Sequence, residues 1–590
     1  MVHDHICDEP GLTNHVSSLE FDEHPQNLAV YRERMEAKYK TIANFNQQMG
    51  TSYRSFKELK PGRIDDARKA GRYGEFMEWR NFNVDRWVEA IRIVADNSKK
   101  GDPNSNLSLC NSFGQTALNG NDYWKLLTKA GLNFSQEYTS MVYQGDSPRT
   151  TFDEFYRSFR PDMRVWGYTG YFFDRTKAFY QPWWFALHRY GGFTWFATYA
   201  SVGAGGGGAW LNILDYTGAF NRDAQNMKDS LESSNLQNGL GKVFLAYNWV
   251  KNDIAIYYSH DSLLLAYALG KERNNSEMHT NSPLSKKMTS RHNLQYMTEE
   301  LLYQYEYLAP EQIINGKLKE RKVLFMPGVI SMGDEEVAAV RTFLKNGGMV
   351  IADFTPGEYD LLGRKRKQAP FAGEKNVVVL NKLFTRKDVA QRKQIMALLK
   401  KANCKPLIQS KGIEQIFGRE AMHFADGDMH IFGVLHDQSR SSEAKEQTFQ
   451  FPVTGHLYDI RAGKYLGKTN TVTAAVPRGD AMVWGIYPYQ IKGIDLSVPT
   501  VVKGGQDLMV KMELDKTGFG KAGKHVFHVE IIAPDGSCRF HMQRNLIAEN
   551  GKAVLKFRMA ENDKNGTWKV RVTDALSGIQ AEKTFRKSGQ

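Results

Sequence analysis

The sequence predicts a multidomain protein, α/β over its first two-thirds and β-rich over its last third. Three observations predict this. The length of 590 residues exceeds what one hydrophobic core can fill. Up to about residue 404, short apolar runs alternate with helical patterns, as in parallel sheets covered by helices. After about Lys405, short strands with one buried and one solvated face are separated by Gly, Pro, Asn and Asp.

The first helical pattern runs from about Gln26 to Tyr53, with Leu28, Tyr31, Met35, Tyr39 and Ile42 at three- and four-residue spacing. A second runs from about Glu75 to Asn97. Strands are expected at Leu107–Cys110, at Leu132–Ser135 with its end near Glu137, at Met163–Tyr168 and at Gly192–Phe196. Helices fall between them at about Tyr123–Thr128 and Tyr180–Arg189. This alternation, at this length, predicts a (β/α)8 barrel in residues 1–250. The continuous apolar runs Asp253–Tyr258, Lys322–Met326 and Met349–Ala352, with a helix over Asp334–Lys345, predict a flavodoxin-like α/β domain in residues 251–404. Residues 405–490 read as a small β-rich domain. Residues 491–590 read as an immunoglobulin-like sandwich, with alternation in Leu508–Glu513 and His525–Glu530.

Composition excludes more than it identifies. Hydrophobic content of 41% and charged content of 24% are ordinary for a globular chain. No run approaches the roughly 18 apolar residues of a membrane span, so no membrane partner is expected. The net charge of +13 is spread along the chain rather than gathered in a stripe, so no nucleic-acid partner is expected either. The sharpest basic run, Arg364-Lys365-Arg366-Lys367, reads as a solvated loop, with an anion or polyanion contact as the alternative. The glycine run from Gly203 to Gly208 lacks a following Gly-Lys-Ser/Thr and reads as a lid or linker. Four dispersed cysteines, without a CxxC pair, argue against a zinc site or a disulfide scaffold. His3, His5 and His15 read as a polar N-terminal segment, and no metal or cofactor is expected.

Nine of the eleven tryptophans precede residue 250, which suits a sugar cleft and an aromatic core equally well. Glycosidic cleavage needs one protonated and one ionised carboxyl group, and barrel enzymes hold such groups at strand C-termini. Ile6-Cys7-Asp8-Glu9-Pro10 fits such a strand end.

The run Tyr31-Arg32-Glu33-Arg34-Met35, then Lys38-Tyr39-Lys40-Thr41-Ile42-Ala43-Asn44-Phe45-Asn46 and Gly50-Thr51-Ser52-Tyr53, resembles the family 42 glycoside hydrolases, the β-galactosidases. Trp79-Arg80-Asn81-Phe82 and Asn111-Ser112-Phe113-Gly114 extend the resemblance. Lys322 to Pro327, Ser331, Asp334-Glu335-Glu336 and Gly347-Gly348 are similar to the trimerisation domain of that family. The resemblance implies a β-galactosidase-like hydrolase of oligo- or polysaccharides, assembled as a homotrimer. It implies that Glu9 is the general acid/base and that Asn111 faces the cleft. It also implies that the chain begins partway through its barrel, leaving the barrel partial; a leader upstream would then decide export, so localisation stays open. The nucleophile is expected at the end of the strand Val165–Tyr171, which contains no glutamate. Glu137 and Asp174 are the two candidates. Asp8, Tyr138, Tyr171 and Trp195 are candidates to line the substrate site. The alternative is a catalytically inactive carbohydrate-binding or scaffold protein.

Overall fold

A computed structural model describes residues 4–8, 11–13, 19–110, 116–137, 151–169, 175–195, 236–250, 253–271, 283–437 and 445–589. The chain forms two compact units, Met1–Tyr168 with Asn252–Lys405, and Thr169–Lys251 with Pro406–Gln590. Among the described residues no helix is long and apolar enough to cross a membrane.

In the first unit, strands β1 (Asp4–Asp8), β2 (Leu107–Cys110), β3 (Phe134–Glu137) and β4 (Arg164–Thr169) lie side by side in chain order, all parallel. The expected helix over Gln26–Tyr53 is two helices, α1 (Pro25–Tyr39) and α2 (Ile42–Met49). The break is at Lys40, whose φ of 66° leaves the helical region, and at Thr41, whose side chain caps α2 by accepting from Asn44 N at 3.2 Å. The apolar spacing continues across this break, which is why periodicity alone reads one helix. Helix α3 (Gly74–Gly101) buries Trp79 and Phe82 against Tyr31, Met35, Tyr39 and Phe45. The Tyr31 ring meets Trp79 edge-on at 4.9 Å. Helices α4 (Tyr123–Lys129) and α5 (Thr151–Phe159) precede β3 and β4.

The second sheet of this unit contains β5 (Ile254–Tyr257), β6 (Glu306–Leu308), β7 (Val323–Met326), β8 (Met349–Ala352) and β9 (Val377–Val379). All pairings are parallel, and the spatial order is β6-β5-β7-β8-β9. Every residue of β5, β7 and β8 is buried, as the continuous apolar runs predict for a sheet covered on both faces. Helix α6 (His260–Leu269) follows β5, and α7 (Asp334–Lys345) follows β7. The turn after α7 needs both of its glycines. Gly347 has φ 89°, and a Cβ on Gly348 would lie 2.3 Å from the Phe343 ring.

The basic run after Asp360 is held to the surface by ion pairs: Arg364 with Asp360 at 2.7 Å, Lys365 with Glu358 at 3.2 Å and Arg366 with Asp334 at 2.7 Å.

The second unit is rich in antiparallel strands. One sheet is built from β10 (Arg419–Asp426), β11 (Met429–His436), β12 (Glu446–Asp459), β13 (Lys464–Ala475) and β14 (Asp480–Tyr487), with Asn248–Trp249 at one edge and Gln409–Ser410 at the other. The C-terminal part adds a three-stranded and a five-stranded sheet. Alternating burial along Asp507–Lys516 matches the period-two pattern of its sequence. Its interior holds a polar chain. Tyr489 Oη lies 2.9 Å from His525 Nε2, His525 Nδ1 lies 2.8 Å from Asp574, and Ser577 donates to Asp574 at 2.6 Å.

Candidate functional site

Parallel strands feeding helices place reactive groups at strand C-termini, so the common edge of β1 to β4 is where a site is sought. Register defines that edge. Asp8 pairs with Cys110, Cys110 with Gln136, Gln136 with Trp166 and Glu137 with Gly167. A register shift between His5 and Asp8 marks an irregularity in β1 just before its end. With neighbouring strands about 4.8 Å apart, the backbones of Asp8 and Gln136 are separated by two strand spacings, about 10 Å.

Of the residues singled out from sequence, Asp8 closes β1, Glu137 closes β3 and Trp195 closes the strand Gly192–Trp195 of the second unit. Glu9, Asn111, Tyr138, Tyr171 and Asp174 lie outside the described residues. Strand β4 reads Arg-Val-Trp-Gly-Tyr-Thr and holds no carboxylate.

The loops leaving β1 and β2 are tied together by groups that sequence reasoning passed over. Leu12 N donates to Asn119 O at 2.8 Å. Arg80, wholly buried in α3, donates through Nη1 to Phe21 O at 2.6 Å and through Nη2 to Leu118 O at 2.8 Å. Burial pushes its guanidinium down to about 10, with Glu20 opposing. A charged residue between Trp79 and Phe82, two residues at core spacing, was the available signal. Asp122 caps α4 by accepting from Trp124 N at 3.1 Å and receives the Tyr258 hydroxyl at 3.0 Å. Tyr123 N donates back to that hydroxyl at 2.8 Å. Burial raises the Asp122 carboxyl, with Lys125 opposing.

Doubly wound parallel sheets bind ligands where strand order reverses, here beyond β5 and β7. That crevice is occupied by the chain itself. Ser331 N donates to Ser262 Oγ at 3.1 Å, and Ser262 Oγ donates to Ser331 O at 3.2 Å. Beside it a pocket of 450 Å³ is lined by Glu78, Asp85, Asp122, Asp261 and Glu336, among others. These acids are engaged: Glu78 with Lys38 at 2.6 Å, Asp85 with Lys125 at 2.7 Å and Asp261 with Asn81 at 2.8 Å. The pocket is therefore a polar packing seam within this unit.

Glu336 is the exception in behaviour. The sequence suggests an acidic first turn complementing the dipole of α7, and of its three acids Asp334 and Glu335 are exposed. Glu336 is buried and accepts from the Tyr257 hydroxyl. Burial, aided by Asp261 and Glu311, pushes its carboxyl from 4.5 up to about 7, against the Tyr257 and Gly333 hydrogen bonds. The folded state therefore holds a proton that the unfolded chain has released. Stability from this group is full below 4.5 and is lost as pH rises through about 7. Glu336→Gln should flatten the fall in urea midpoint over that interval; an unchanged slope would exclude the assignment.

Comparison with solved structures gives a likeness of fold. A β-galactosidase from Bacillus circulans sp. alkalophilus superposes with a TM-score of 0.60 at 14% identity, over 79% of this chain and 77% of that one. Gan42B, a GH42 β-galactosidase from G. stearothermophilus, gives 0.59 at 11% identity, over 82% and 78%. An exo-carrageenase of GH42 from Bacteroides ovatus gives 0.51 at 14% identity, over 78% and 63%. No family model matches the sequence, and neither does any curated protein. The chain is a multidomain α/β plus β protein with the fold of these hydrolases, as the sequence resemblance implies.

Proposed function

We propose that the protein is a glycoside hydrolase of the β-galactosidase class, with Glu9 as general acid and base. The supporting observation is the register of the strand ends, which aligns Asp8, Cys110 and Gln136 in a sheet whose fold is that of β-galactosidases. In this reading Glu9 protonates the departing glycosidic oxygen while a second carboxylate, Glu137 or Asp174, attacks the anomeric carbon. Glu9 then takes the proton of the water that releases the sugar. A carboxyl separation of about 5–5.5 Å corresponds to this retaining route, and about 6.5–9.5 Å to inversion. Asp8, Asn111, Tyr138, Tyr171 and Trp195 would contact the saccharide.

The same reading assigns β1 to β4 to an incomplete (β/α)8 barrel and β5 to β9 to a flavodoxin-like, trimerisation-type domain. It assigns the C-terminal sheets to an immunoglobulin-like sandwich. It expects three chains per particle; light scattering on the full chain checks this, and a monomer would count against the trimer.

The absence of a carboxylate in β4 favours a second reading, an inactive carbohydrate binder. A panel of aryl β-glycosides and carrageenan oligosaccharides separates the two. Aryl alcohol release from a β-galactoside supports the hydrolase, whereas saturable binding without hydrolysis supports the binder.

A further inference from the structure

The second unit buries a charge that no described residue pairs with. Arg419, the first residue of β10, is 1% exposed. Its guanidinium lies over the Phe449 ring at 5.9 Å. Neither Nε nor Nη1 has a hydrogen-bond partner among the described residues. Three other buried arginines have acceptors for their charge. Arg80 donates to two backbone carbonyls, and Arg386 and Arg392 share Glu300. Burial pushes the Arg419 guanidinium down to about 10. A buried guanidinium left uncompensated destabilises a fold, so its retention at this position calls for an acceptor.

The surroundings indicate which kind. Arg419 lines a pocket of 660 Å³ at the end of the sheet, where Lys411, Lys445, Gln447 and Thr448 also contribute. Lys411 and Lys445 are exposed and flank the buried guanidinium with two further positive charges. Gln447 Oε1 has no hydrogen-bond partner among the described residues either. Glu446, the acid among the described lining residues, is exposed, where water and salt screen it. A guanidinium presents parallel N–H donors that match two oxygens of one anion.

We propose that this pocket binds an oxyanion, a sulfate or carboxylate group, with Arg419 as its buried anchor and Lys411 and Lys445 as its rim. The site belongs to the second unit alone and does not depend on the chemistry proposed for the strand ends of the first.

The test is calorimetric titration and thermal unfolding of the full chain with sodium sulfate and sodium acetate, against sodium chloride at equal ionic strength. The wild type should bind sulfate and gain thermal midpoint beyond the chloride control. Arg419→Met should bind at least about tenfold more weakly, the loss expected for a charged hydrogen bond. In anion-free buffer the same variant should unfold at a higher temperature than wild type, because it removes the unpaired charge. Lys411→Gln and Lys445→Gln, both at exposed positions, guard against a folding defect and should each weaken binding by a smaller factor. Galactose 6-sulfate binding more tightly than inorganic sulfate, with galactose inert, would identify an anionic sugar as the source. Equal affinity would identify the free ion. A sulfate response equal to that of chloride, or one retained in Arg419→Met, overturns the proposal.

Discussion

Glu9→Gln is expected to lower kcat/KM on alkyl β-galactosides by about 10²–10⁴, the usual contribution of a positioned general acid or base. The amide cannot give a proton to a poor leaving group, so the glycosidic bond must break with alkoxide character. An aryl leaving group of low pKa departs without that help. Its first step should therefore be much less affected, and the glycosyl-enzyme should accumulate, because the base that activates water is missing as well. The signature is thus a dependence on leaving group and not a uniform loss. Equal losses on alkyl and aryl substrates would assign Glu9 a structural role instead.

The second large effect is on stability. Glu300→Ala should cost about 3–5 kcal/mol, the range found when one partner of a buried ion pair is removed. Glu300 Oε1 accepts from Arg386 at 2.5 Å and Oε2 accepts from Arg392 at 2.7 Å, and all three side chains are buried. Removing the carboxylate leaves two guanidiniums facing each other in a dry interior. Urea unfolding measures the loss, and Glu300→Ala combined with Arg392→Met should recover part of it. A loss below about 1 kcal/mol, the size of an exposed pair, would mean that water reaches the cluster.

The parts of the fold set by local pattern were legible in the sequence. Leu107–Cys110, Asp334–Lys345 and Met349–Ala352 occur with the bounds that their apolar spacing and flanking residues predict. Long β-strands with one wet face were equally readable, as in Asp507–Lys516. What was not legible depended on long-range contacts. The break at Lys40 hides in continuous helical spacing and is visible only as a Thr41 cap. Glu336 sits in an acidic triplet that looks uniform, yet packing turns one of the three carboxyls inward toward Tyr257. Arg80 and Arg419 are ordinary basic residues in sequence, and only burial makes them conspicuous. The strand-end positions were legible, since Asp8 and Glu137 close parallel strands of one sheet, β1 and β3, with β2 between them. The proposed nucleophile was not, because β4 lacks the glutamate that the resemblance leads one to expect.

The central claim is that a second carboxylate works opposite Glu9. The most direct measurement is covalent trapping with a 2-deoxy-2-fluoro-β-galactosyl fluoride, followed by peptide mass mapping of the full chain. Retaining catalysis at this site predicts one adduct per chain, on the peptide that contains Glu137 or the one that contains Asp174. Turnover of β-galactosides without any adduct, or an adduct on a carboxylate elsewhere, would contradict it.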